Sequence, residues 1–164
     1  MILELKQIFD IVGEELPVEY SVDLSEYELY GVRPFVTPVL LKGRVYNEAG
    51  IVILSYRVDF TLRLPCDRCL ETFDRDYSYA FNEVIVPEES EEHDEYIVAP
   101  DARLDLDELC LSDILLNLPS KQLCKEECKG LCPQCGANLN HESCSCSKKE
   151  VDPRLAALGE LLNE

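Results

Sequence analysis

Six of the nine cysteines in this chain lie in one short segment, LCKEECKGLCPQCGANLNHESCSC, residues 123–146. Zinc prefers four tetrahedral ligands of sulfur or nitrogen, and a CxxC turn presents two thiolates to one ion while its backbone N–H groups point at the sulfurs. Cys132-Pro-Gln-Cys135 fits such a turn. Pro133 stiffens it, and Gly136 allows the positive backbone angle that lets the chain curl around a metal.

Two further cysteine pairs flank this turn. Cys124 and Cys128 lie one helical turn apart and can chelate together if their segment is helical. Cys144 and Cys146 form a CxC pair, with His141 just before it. Because one ion needs four ligands, we predict a structural zinc site built from Cys124, Cys128, Cys132 and Cys135, with Cys144 and Cys146 as the alternative second pair.

A separate CxxC, Cys66-Asp-Arg-Cys69, follows a predicted strand. A thioredoxin-like redox role would need a βαβ context, whereas the flanks here are β on both sides. Two interpretations stay open: a β-turn whose small thiols pack, or a second metal half-site that takes its partner pair from elsewhere, such as Cys144 and Cys146. Cys110 lies on the apolar face of a predicted helix and is expected to be a core cysteine.

Catalytic patterns are missing from the sequence. His93 lies in an acidic stretch and His141 in the cysteine segment, so neither has an apparent nucleophile to serve. We expect His141 to be an exposed loop residue, with metal ligation as the lesser alternative. Glycine-rich phosphate loops and HExxH are also absent, and a cysteine-rich cluster is typical of a closed structural site. We therefore expect a protein that is not an enzyme.

The elements that must position these thiols show strand periodicity. In IVILSYRVDFTLRLP, residues 51–65, the apolar side chains fall on even positions, which predicts a long strand with one buried face. Residues 37–50 predict a strand that ends in a turn at Asn47–Gly50, and residues 73–86 predict a third strand. Residues 9–25 offer one or two more strands, or a strand and a short helix. The expected fold class is α+β, with a curved antiparallel sheet or a small open barrel.

A helix is expected over about 105–118, with Asp105 as its cap and Pro119 after its end. The predicted domains are a β-rich core with this helix (1–120), a Cys-rich metal-binding segment (121–147) and a C-terminal helical tail (148–164). The Cys-rich segment is too poor in apolar residues to build its own core, so an external constraint such as a metal must order it.

The chain is strongly acidic. Its 33 acidic residues outnumber 15 basic ones, giving a net charge of -18 over 164 residues. Nucleic-acid binding needs Lys and Arg to displace counterions, so this composition disfavours bare RNA or DNA and favours basic proteins as partners. The N-terminus shows neither a signal peptide nor a membrane span, so we expect a cytoplasmic protein, where clustered cysteines more often bind metal than form disulfides.

The ordered motifs CDRCLETF, LDLDEL…ILLNLP, LCKEECKGLCPQCGANLN…CSC and DPRLAALGEL resemble the YceD family, described as large ribosomal RNA subunit accumulation proteins. The resemblance covers about residues 30–164, and its most specific part is the Cys-rich signature with the following Asp152-Pro153-Arg154. It implies a bacterial cytoplasmic factor, with chloroplast relatives, that is needed for accumulation of the large (23S) ribosomal RNA.

Some members of that family keep a CxRC corner while lacking most of the later cysteines. The resemblance therefore implies a shared functional role for the corner, which corresponds here to Cys66, Arg68 and Cys69, together with Arg154 in the tail. Arg68 also has a simpler interpretation, in which it neutralises Asp67 and Glu71.

The charge and the resemblance together suggest an assembly adaptor that contacts large-subunit ribosomal or assembly proteins, with pre-ribosomal RNA contacted indirectly. The sequence does not fix the oligomeric state. Two alternatives are a zinc- and thiol-based redox switch, and an RNA-binding module with a local lysine face. That face would consist of Lys121, Lys125, Lys129, Lys148 and Lys149, diluted by neighbouring glutamates.

Overall fold

The centre of the fold is an open five-stranded sheet. A computed structural model describes residues 1–88 and 96–146. The strands of this sheet are β2 (Glu15–Val22), β3 (Val39–Glu48), β4 (Ile51–Pro65), β5 (Thr72–Val86) and β6 (Ile97–Val98). They lie in the order β2-β3-β4-β5-β6; the first four are antiparallel and β6 joins β5 in parallel. Within the described residues β2 and β6 are the two edges, so this sheet is open rather than a closed barrel.

The longest pairing joins β4 and β5 from Val52↔Ile85 to Pro65↔Thr72. Every even-numbered residue of β4 from 52 to 64 is buried, which confirms the strand predicted from the period-two pattern. An aromatic ring of β5 packs on the half of this face that lies nearer the β4–β5 loop: Tyr77 stacks on Phe60 with 5.4 Å between the ring centroids. The buried face of the β4–β5 hairpin therefore extends to the start of its loop, residues 66–71.

The β3–β4 hairpin is also confirmed, with Glu48 opposite Ile51. Asn47 stabilises its turn from a buried position. The side-chain amide of Asn47 donates to the Ile8 carbonyl at 2.7 Å, and its oxygen accepts from the Gly50 N–H at 2.9 Å. The turn is thereby tied to α1 (Lys6–Asp10). This helix lies mostly before residues 9–25, for which one or two strands, or a strand and a short helix, were expected and which contain one strand, β2.

The helix α2 (Leu106–Asn117) packs on the sheet as predicted. The Asp105 side chain caps it by accepting from the Asp107 N–H at 3.0 Å. Cys110 on its inner face is fully buried, which confirms it as a core cysteine. Tyr56 of β4 donates a hydrogen bond to the buried Asp113 carboxylate and joins helix to sheet.

A second, two-stranded sheet pairs β1 (Ile2–Glu4) with β7 (Arg103–Asp105). No helix within residues 1–88 and 96–146 is long and apolar enough to cross a membrane. The helix expected in the C-terminal tail lies outside the described residues. The domain limits at residues 120 and 147 remain predictions.

Candidate metal centres

The loop of the β4–β5 hairpin, residues 66–71, forms a tight turn that we call the corner. The Cys66 N–H donates to the Glu71 carbonyl at 2.9 Å, and the Leu70 N–H donates to the Cys66 carbonyl at 2.9 Å. Cys66 and Cys69 are both buried. Leu70 has a φ of 61°, in the left-handed region that costs a non-glycine residue about 1–2 kcal/mol.

The turn at Cys132–Cys135 repeats the corner. The Cys132 N–H donates to the Ala137 carbonyl at 2.8 Å, and the Gly136 N–H donates to the Cys132 carbonyl at 2.9 Å. The spacing of both bonds matches the corner, and Gly136, with a φ of 74°, occupies the position of Leu70. The positive angle predicted for Gly136 is confirmed. The chain thus contains two CxxC turns of the same hydrogen-bonded form.

Each CxxC turn meets a second cysteine pair. The corner turn faces Cys124 and Cys128, and the four Sγ atoms lie within 4.8 Å of one another. We call this set, Cys66, Cys69, Cys124 and Cys128, the corner cluster. The other turn gathers a second set within the same 4.8 Å limit, which we call the outer cluster: Cys132, Cys135, Cys144 and Cys146.

Sulfur spacing in the corner cluster suits a tetrahedral metal ion. The Cys66 and Cys128 Sγ atoms are 3.7 Å apart, and so are the Cys69 and Cys124 Sγ atoms. A Zn–S bond of about 2.3 Å in a tetrahedron separates the sulfurs by about 3.8 Å, whereas a disulfide would need about 2.05 Å. Each close pair also takes one sulfur from each half-site, so the four atoms interleave around a common centre. The cluster could hold a metal ion.

Backbone and amide N–H groups favour the thiolate at some cysteines of each cluster, Cys66 and Cys128 in the corner cluster and Cys132 in the outer cluster. Burial opposes ionisation of Cys66, but N–H groups of Cys124, Arg68 and Cys69 lower its pKa to about 6. In the outer cluster the N–H groups of Cys135 and Gln134 lower the pKa of Cys132 to about 6. Burial and the Cys128 sulfur raise the pKa of Cys124, while the Cys135 sulfur and burial raise the pKa of Cys146. Each cluster therefore combines thiols that ionise readily to the thiolate, the form that binds metal, with thiols that do not.

Asn140 makes the same kind of contact from outside the cysteine pairs. Burial opposes ionisation of Cys128, yet the Asn140 amide donates to its Sγ at 3.3 Å and lowers the pKa of that thiol. The Asn140 side-chain oxygen also accepts from the Lys129 N–H at 2.9 Å. Asn140 therefore orients a candidate ligand and the backbone next to it, a role that the sequence analysis missed.

Polar contacts hold the Cys-rich segment against the corner. The Asp67 N–H donates to the Gln122 carbonyl at 2.8 Å, and the Asp67 carboxylate accepts from the Gln122 N–H at 2.7 Å. The Arg68 guanidinium donates to the carbonyls of Cys128 at 2.9 Å and Glu126 at 3.3 Å. Arg68 thus binds the backbone of the segment, and its proposed functional role stays a prediction.

The backbones of the segment and the corner also meet at Gly130. The Leu131 N–H donates to the Arg68 carbonyl at 3.0 Å. A Cβ placed on Gly130, which has a φ of 74°, would lie 2.9 Å from the same carbonyl oxygen. Only glycine fits both the backbone angle and the approach. A side chain at position 130 would therefore require the backbones of the segment and the corner to move apart.

His141 lies outside both clusters. Its Nε2 is 2.9 Å from a Glu71 carboxylate oxygen, and the side chain is 61% exposed. This hydrogen bond lowers the pKa of Glu71. His141 is thus an exposed residue that contacts the corner, while His93 lies outside the described residues.

The four cysteines predicted as one ligand set do not come together. Cys124 and Cys128 join the corner cluster, and the segment that carries them is a turn closed by the Cys128 N–H and the Lys125 carbonyl rather than a helix. Cys132 and Cys135 meet the alternative pair, Cys144 and Cys146. Arg154, the fourth residue of the predicted functional corner, lies outside the described residues.

Counting the cysteines points to two sites, although it does not decide which pairs share a site. With Cys110 assigned to the core, eight cysteines remain, in four closely spaced pairs, and eight is the number that two tetrahedral sites require. Cys66 and Cys69 face a second cysteine pair, as the half-site interpretation expects, but that pair is Cys124 and Cys128 rather than Cys144 and Cys146. Leu70 hides the likeness of the corner to the Cys132–Cys135 turn, because the glycine typical of the turn is replaced there.

Residues 54–162 match the family model described as "Large ribosomal RNA subunit accumulation protein YceD". This range is more than half of the chain and includes both clusters. The chain belongs to the YceD family. The resemblance seen in the sequence motifs is thereby confirmed.

Relatives extend over different shares of the chain. The uncharacterized protein YlbN of Bacillus subtilis is 31% identical over 163 residues, 96% of this chain and 94% of that protein. The uncharacterized protein Mb2951c of Mycobacterium bovis is 33% identical over 102 residues, 59% of this chain and 49% of that protein. An Arabidopsis thaliana protein named chloroplastic large ribosomal RNA subunit accumulation protein YCED homolog 1 is 41% identical over 46 residues, 28% of this chain and 14% of that protein. No solved structure matches the chain.

Proposed function

We propose that this protein is a non-enzymatic ribosome biogenesis factor that supports accumulation of 23S ribosomal RNA through contacts with large-subunit ribosomal or assembly proteins. Membership of the YceD family carries the proposal, because large ribosomal RNA subunit accumulation is the property by which that family is described. The A. thaliana relative bears the same description in its name.

Charge supports protein contacts over direct RNA contacts. A phosphate backbone is bound by Lys and Arg side chains that are available to it. Two arginines of the described residues, Arg68 and Arg75, donate to backbone carbonyls of the Cys-rich segment. Four others already pair with carboxylates: Arg33 with Glu26, Arg44 with Glu15, Arg63 with Asp74 and Arg103 with Glu4. With a net charge of -18, the chain suits a basic protein as its partner.

The metal that suits the clusters best is Zn²⁺, in a structural role. All-sulfur sets of four are typical of closed zinc sites, which contribute to folding and leave no position for a substrate. Here the metal would order a segment that contains few large apolar residues of its own. The ordered segment and the corner would then present one surface to the partner.

Depletion and capture together test the proposed function. Cells that lack the protein are expected to show a lower ratio of 23S to 16S ribosomal RNA, and the wild-type chain should restore it. A tagged chain, captured before and after ribonuclease treatment, is expected to retain large-subunit ribosomal or assembly proteins in both samples. The control is an unrelated tagged protein of similar size and negative charge, which reports non-specific attraction of basic proteins.

Two results would contradict the proposal. One is an unchanged ratio of 23S to 16S in depleted cells. The other is a captured fraction that holds ribosomal RNA without ribosomal or assembly proteins and persists at high salt.

A further inference from the structure

The two clusters have the same chemistry but different surroundings. In the corner cluster, Cys66, Cys69 and Cys128 have exposed fractions of 0%, 3% and 3%. In the outer cluster Cys132 is buried, whereas Cys135 is exposed. A reagent in solution therefore meets a thiol of the outer cluster before it meets most thiols of the corner cluster.

The clusters also join different parts of the chain. The corner cluster links the β4–β5 loop to the Cys-rich segment across 62 residues from Cys66 to Cys128 and 55 residues from Cys69 to Cys124. The outer cluster takes all its cysteines from residues 132–146. A metal in the corner cluster would fix the segment to the sheet, whereas a metal in the outer cluster would fold the end of the segment on itself.

We propose that the chain binds two Zn²⁺ ions, one in each cluster, and that the outer ion exchanges or is lost first while the corner ion holds the segment on the β4–β5 loop. This inference rests on the proposed zinc, and adds the number of ions and their separate roles. No cysteine belongs to both clusters, so the two sites can be filled independently. Each site takes up one Zn²⁺, forms four Zn–S bonds and releases the proton of every thiol that was still protonated.

The first test is the zinc content of full-length protein purified without chelator and without a metal affinity column. Wild-type protein is expected to hold about two zinc ions per chain. Cys144→Ser/Cys146→Ser and Cys66→Ser/Cys69→Ser should each hold about one. The matched control is Cys110→Ala, which removes the ninth cysteine, buried in the core, and should keep two.

The outcomes separate this inference from the proposed zinc. One ion per wild-type chain would overturn the two-site inference and leave structural zinc in place. No zinc would overturn both. Two ions in the Cys144→Ser/Cys146→Ser variant would show that the outer cluster is not a site.

The order of loss is tested on the wild-type chain, so the result does not depend on the folding of any variant. A maleimide is added in steps, released zinc is measured with a colorimetric chelator, and labelled cysteines are identified by peptide mapping. The first ion should leave while Cys66, Cys69 and Cys128 remain unlabelled. Release of both ions together, or labelling of the corner cluster first, would overturn the separate roles.

Discussion

Replacement of Gly130 by alanine tests whether the contact between the Cys-rich segment and the corner stabilises the fold. The new Cβ would lie 2.9 Å from the Arg68 carbonyl oxygen, a backbone atom that cannot move aside alone. Gly130 also has a φ of 74°, which alanine adopts with strain. Gly136 offers a matched control, because it has the same φ of 74° and its Cβ would meet no atom of residues 1–88 and 96–146 within 4 Å.

The difference in stability between the two variants isolates the effect of the contact between position 130 and the Arg68 carbonyl. The left-handed backbone costs each alanine about 1–2 kcal/mol, and the overlap with Arg68 adds about 1–3 kcal/mol in Gly130→Ala alone. Since 1 kcal/mol shifts Tm by about 2–4 °C in a chain of this length, Gly130→Ala should melt roughly 2–12 °C below Gly136→Ala.

Both variants are compared at equal metal content by thermal unfolding followed through tyrosine fluorescence. A second readout is maleimide labelling of Cys66 and Cys69 in the native state, which should be faster in Gly130→Ala because the segment no longer covers the corner. Equal melting temperatures and equal labelling rates in the two variants would refute the role assigned to this contact.

Three further substitutions test local features of the fold. Leu70→Gly should raise the free energy of unfolding by up to about 1 kcal/mol in urea unfolding, because it relieves a φ of 61° at a side chain that is 66% exposed; a loss of stability would contradict this. Asn47→Ala should cost about 1–3 kcal/mol in the same assay, since it removes the buried hydrogen bond to the Ile8 carbonyl; a change below about 0.5 kcal/mol would show that the bond contributes little. Burial raises the pKa of the Asp113 carboxyl, against the effect of its hydrogen bond from Tyr56. The folded state then binds the Asp113 proton more tightly than the unfolded chain does. Protonation of Asp113 therefore stabilises the fold at low pH, and this stabilisation is lost as pH rises through the folded-state pKa. Relative to Asp113→Asn, wild-type stability should fall as pH rises above about 4, the usual pKa of Asp, and a pH-independent difference would contradict the assignment.

Local patterns in the sequence predicted the elements well. The alternation in β4 identifies one buried face, and Asp105 marks the start of α2, because both signals depend on neighbouring residues alone. The burial of Cys110 follows from its place among apolar residues of the helix. The choice between open sheet and barrel depends on whether the edge strands β2 and β6 pair with each other, and the periodicity of a strand does not encode its partner.

The grouping of the cysteines could not be read from local spacing. Cys124 and Cys132 are neighbours in sequence but belong to different clusters, while Cys66 lies within 3.7 Å of Cys128 across 62 residues. Only the return of the segment to the β4–β5 loop decides that pairing. The contacts that fix this return involve Gln122, Arg68 and Gly130, and each of these residues has its partner far away in the chain.

The corner and the segment are held together by different means. The corner turn is closed by two backbone hydrogen bonds within the β4–β5 hairpin, so its shape does not require a metal. The segment reaches the corner through hydrogen bonds to Asp67 and Arg68 and has no extended apolar face there beyond the partly buried Leu123 and Leu131. Hydrogen bonds to charged groups such as these contribute about 1.5–3 kcal/mol each, whereas a structural Zn²⁺ held by four sulfurs would contribute about 10–16 kcal/mol. A metal would therefore add more to the ordering of the segment than to that of the corner. A metal in the corner cluster would therefore control whether corner and segment form one surface.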